Sequence, residues 1–110
     1  MPDYIKGVEI MERAMRFLID MDAGCFERLQ MACKEVFTLQ SDCLNEDAVN
    51  IYLEIDGLFD RSHEHETQGF CWQNLMEMPD EKKQDVAEKI FLLYSILCRA
   101  AEQQRISLGR

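Results

Sequence analysis

Apolar residues recur every three or four positions through most of this chain, which predicts helices rather than strands. Over residues 3–20, Tyr4, Val8, Met11, Met15, Leu18 and Ile19 fall on one face, with Ile10, Ala14, Phe17 and Met21 as a second stripe. Asp3, behind Pro2, is placed to cap this first helix. Glu9, Glu12, Arg13, Arg16 and Asp20 remain as a narrow polar strip, in which Glu9 and Arg13, and Glu12 and Arg16, stand four residues apart and are expected to pair. A helix this apolar belongs at the centre of a bundle or in a dimer interface.

Asp22 is expected to cap a second helix that runs to about residue 39, with Cys25, Phe26, Leu29, Cys33, Val36 and Phe37 facing inward. Ser41 to Asn45 reads as a loop ending in a cap, followed by Glu46 and Asp47, which suit the positive end of a helix dipole. The third helix is predicted to reach about residue 60 on a stripe of Ala48, Ile51, Tyr52, Ile55, Leu58 and Phe59, with Gly57 tolerated inside it. Residues 61–69 hold no apolar side chain and read as a loop or a solvated helix end. A short fourth helix over 68–77 turns Cys71, Trp72, Leu75 and Met76 inward. After Met78 and Pro79, a fifth runs to about residue 105 on Val86, Ile90, Phe91, Leu93, Tyr94, Leu97, Cys98 and Ala101. No stretch alternates with the period of a strand, so the expected fold is all-α, one domain over residues 1–110 built as a bundle of four to five helices.

Composition sharpens this picture by exclusion. The 110 residues are 47% apolar and 30% charged with five Gly and two Pro, a globular balance rather than a disordered one. The net charge is -9, which disfavours direct binding to nucleic acid through phosphates. No apolar run approaches the length of a membrane span and the start lacks a signal-peptide pattern, so a soluble, cytoplasmic protein without membrane contact is expected. Five scattered cysteines with no Cys-x-x-Cys pair fit reduced thiols. Cys33 and Cys98 fall on apolar stripes, whereas Cys43, in the loop, is expected to be the most reactive.

The charge is distributed unevenly. Residues 41–81 hold eleven acids against one base, Arg61, for a net of -10, while the other 69 residues carry a net of +1. On the third helix, Val49 and Leu53 lie off the core stripe and share a side with Asp56 and Asp60, so apolar anchors stand within an acidic rim. Glu64 and Glu66 extend the rim, and Phe70 points away from the stripe of the fourth helix. These seven residues are the candidate partner-binding set.

Asp56, Asp60, His63, Glu64, His65 and Glu66 offer oxygen and imidazole ligands, but their spacing matches no zinc, di-iron or EF-hand pattern, and no metal or other cofactor is expected. No thiol sits beside a base in a nucleophile motif, and the glycines never cluster into a phosphate cradle, so catalysis is not expected. The expected function is a non-enzymatic interaction module whose acidic central surface binds a basic partner protein, as an inhibitor, an immunity protein, a DNA mimic or an adaptor does. The alternative is a helix-binding chaperone or a homodimer that uses the apolar excess of the first helix together with Leu92 and Ile96 of the last. A small metal-dependent enzyme centred on His63 and His65 ranks third.

Overall fold

A computed structural model describes residues 2–19, 25–59 and 69–108, with the side chains of Cys25, Phe26, Phe70, Trp72 and Leu108 outside the described set. Helix α1 spans Tyr4–Ile19. Asp3 caps it, its Oδ1 accepting from the Lys6 N–H at 3.0 Å, as its position predicts. Helix α2 spans Cys25–Val36 and stops a turn earlier than its apolar stripe suggests. There the Thr38 and Leu39 N–H groups turn back three residues to Glu35 and Val36, and the Thr38 hydroxyl donates to the Glu35 carbonyl at 2.6 Å. The cap expected at Asp22 lies outside the described residues.

The expected loop contains one 3₁₀ turn, Ser41–Cys43, before helix α3 at Glu46–Gly57. Asn45 caps α3 through Oδ1, which accepts from the Ala48 N–H at 2.9 Å. The helix ends at Gly57 rather than near residue 60, so the glycine that the apolar pattern tolerates falls at its last position. Helices α4, Gly69–Glu77, and α5, Asp80–Leu108, follow. The Pro79 carbonyl accepts the first α5 bonds, from Lys82 and Lys83. The described residues are thus all-α, five helices with no strand among them, as the periodicity predicts.

Helix α5, about 43 Å long at 1.5 Å per residue, sets the long dimension of a body measuring 48 × 30 × 25 Å. Its two main neighbours are α1 and α3, and α1 packs as extensively on α2 as on α5. Both α1 and α3 run antiparallel to α5. At one end the Tyr4 N–H donates to Gln104 Oε1 at 3.1 Å, and Asn45 stands near Ala100 and Gln103; at the other, Ile19 lines one groove with Phe91 and Leu58 one depression with Lys82. Helix α4 rests on α2. Met11, Leu29, Ile55, Leu75, Ile90, Leu93 and Leu97 are fully enclosed between these layers. Phe37, half-buried just past α2, meets Phe59 and Tyr52 edge-on at centroid distances of 5.2 and 6.1 Å and so ties α2 to the α3 segment.

Three local expectations are corrected. Phe91 and Met76, placed on core stripes by spacing, are exposed, because no described helix covers those sides of α5 and α4. Arg13 pairs across to Glu35 of α2, Nε to Oε2 at 3.3 Å, instead of down its own helix to Glu9. Cys43 is buried, because the 3₁₀ turn folds down onto Gly7 of α1.

Candidate functional site

The cap and the acids that start α3 orient it so that Ala48 and Ile55 enter the core. The opposite arc carries Glu46, Asp47, Asn50, Leu53, Glu54 and Gly57, all exposed. Leu53 is 58% exposed, a large apolar side chain on a face bearing three acids and no base. Glu46, Asp47 and Glu54 make no ion pair with any described residue. The face runs the length of α3, about 18 Å at 1.5 Å per residue.

The two ends of this face differ. Near the start of α3, Asp47 shares a shallow depression with Arg99 of α5, so the negative field is locally offset. Near its end, Leu58 shares another with Glu77, Pro79 and Lys82, which brings the α4–α5 corner alongside. Glu77, Asp80 and Glu81 are exposed at that corner; Asp80 approaches Lys83 at 3.8 Å, a contact on an otherwise open carboxylate.

Of the seven candidate partner-binding residues, Leu53 is exposed, whereas Val49 and Asp56 sit half-buried on the flank of α3 that carries Tyr52. Asp56 is engaged by a neighbour. Asp60, Glu64, Glu66 and the side chain of Phe70 lie outside the described residues, as do His63 and His65. Glu46, Asp47 and Glu54 enter the sequence-level charge count without being assigned to the site. The signal that singles them out is their position on the arc opposite Ala48 and Ile55.

A second surface lies between α1 and α5. Glu12, Met15, Arg16 and Ile19 face Phe91 and Tyr94 across an open groove of about 480 Å³. Ile19 is 68% and Phe91 58% exposed, and Leu92, next in sequence, is exposed as well. Ile96, expected to share this apolar role, is half-buried against the core. Interaction with the neighbouring Cys98 thiol raises the Tyr94 pKa, and burial and Glu12 add to the rise.

Two of the described thiols are disfavoured as thiolates. Burial pushes Cys33 well above its usual range, with Cys71 adding to the effect, and burial also pushes Cys43 up against the opposing pull of a backbone hydrogen bond. Among the described residues, no three His, Cys, Asp or Glu side chains are grouped as a metal site needs, and no helix is long and apolar enough to cross a membrane. No protein-family model, curated protein or solved structure matches the chain.

Proposed function

We propose that this chain is a non-enzymatic interaction protein that docks a basic protein surface on the outward face of α3 and the adjoining α4–α5 corner. The observation that supports this reading is the exposed Leu53 among Glu46, Asp47 and Glu54, three carboxylates free of ion pairs with described residues on a helix that carries no base. Carboxylates of this kind steer a cationic partner and set the register of docking, while an apolar side chain at the centre of the patch slows dissociation. The partner class is a protein with clustered Lys and Arg.

The double substitution Asn50→Lys, Glu54→Lys reverses the middle of the face without touching the cap or the first turn. Tagged protein is expected to capture a basic protein from the native host at about 50 mM salt and release it at about 500 mM. The double variant captures none, while its thermal midpoint stays within about 3 °C of the parent, the scale of surface changes. Capture that survives the reversal overturns the reading.

A further inference from the structure

We propose that the groove between α1 and α5 is a self-association surface through which two copies of this chain meet, with Glu12 of each copy paired to Arg16 of the other. The apolar part of the argument is the exposure of Ile19 and Phe91 on opposite lips of a groove floored by Met15 and Tyr94. Two large side chains left so open on adjoining helices favour burial against a further surface.

Charge selects a second copy as the occupant. At a net charge of -9, two copies repel, and the repulsion is concentrated in residues 41–81, which carry -10. The rest of the chain carries +1, and it contributes all of α1 and all of α5 beyond Glu81. Copies can therefore approach along α1 and α5 at the least electrostatic cost. Glu12 and Arg16 stand one helical turn apart on the same rim, both exposed, and neither makes an ion pair with a described residue. A two-fold axis crossing α1 between them sets each carboxylate against the other copy's guanidinium, which satisfies both charges twice by one operation. A foreign cationic helix would leave Arg16 opposed by like charge, and a foreign acidic one would leave Glu12 so.

The whole chain is examined by sedimentation equilibrium over a concentration series. Monomer converting to dimer is expected for the parent, and Glu54→Lys, on the far helix, leaves that conversion intact. Phe91→Glu raises the dissociation constant at least about tenfold, and so do Glu12→Arg and Arg16→Glu taken singly, since each places like charges together twice. An equimolar mixture of the Glu12→Arg and Arg16→Glu chains restores the dimer as a heterodimer, because both cross pairs become opposite in sign. All three positions are exposed, and far-ultraviolet circular dichroism checks that the fold is retained. A parent that stays monomeric, a dimer indifferent to Phe91→Glu, or charge reversals that do not complement each other overturns the proposal.

Discussion

A Cβ added at Gly7 would stand 2.9 Å from the Cys43 carbonyl oxygen and 3.4 Å from Leu97 Cδ1. The oxygen belongs to backbone and cannot swing aside, so Gly7→Ala is expected to lower stability by about 1–3 kcal/mol as the 3₁₀ turn lifts off α1. Gly57 meets nothing within 4 Å, and Gly57→Ala is expected to raise stability by about 0.5–1 kcal/mol. Urea titration of both variants checks the opposite signs. The same close approach encloses Cys43, which sequence places in a loop and hence in solvent; nothing in the spacing of residues 41–45 tells that the turn will be pressed against a glycine 36 positions earlier. Among the described thiols, Cys98, half-buried, is expected to alkylate at least about tenfold faster than Cys33 or Cys43, whose thiolates are disfavoured and enclosed. Both buried thiols have folded-state values above their ordinary 9.0, so the unfolded chain loses these protons first. Stability is thus undiminished by them below about pH 9 and falls as pH rises beyond it. Denaturation midpoints followed from pH 7 to about 10.5 test the sign.

Among the helices, α3 shows how far pattern reading reaches. Asn45 is recognisable as its cap from sequence, because a short acceptor side chain there precedes two acids and an apolar stripe. Asn45→Ala is expected to cost about 0.5–2 kcal/mol by thermal denaturation. Glu46 and Asp47 sit in the first turn, where the helix dipole favours them, so they serve the helix as well as its acidic face. Which apolar residues end up outside is not legible from spacing alone. The stripe on α5 is wide enough to meet helices on several sides, but its main described neighbours are α1 and α3, and Phe91 is left open. Ile19 and Met76 follow the same logic at the ends of α1 and α4. Periodicity reports that a face is apolar; the number of neighbours that arrive to cover it is a property of the tertiary arrangement.

For the molecule as a whole, the two surfaces are separated both in charge and in position, and this gives them opposite responses to salt. Capture of a cationic partner on α3 weakens as ions screen the carboxylates, whereas self-association along α1 and α5 holds or strengthens, because screening also removes repulsion between two copies that each carry -9. The lopsided charge was fully legible in the sequence, since counting needs no coordinates. Its arrangement was only partly so. The described acids extend along α3 to the α4–α5 corner, and Arg99 shares a depression with Asp47 at one end, a proximity between residues more than fifty positions apart.

The clasp made by Gln104 bears on how the chain assembles as it is synthesised. Its amide accepts from the Tyr4 N–H and donates to the Pro2 carbonyl, so one side chain completes the first turn of α1 from a hundred residues away. With α1 also needing α5 along its flank, a helix made before α5 waits for the end of this fold to complete its packing. Until then its apolar stripes have only α2 and the 3₁₀ turn to cover them, and the side that α5 will occupy is the one open to wrong encounters.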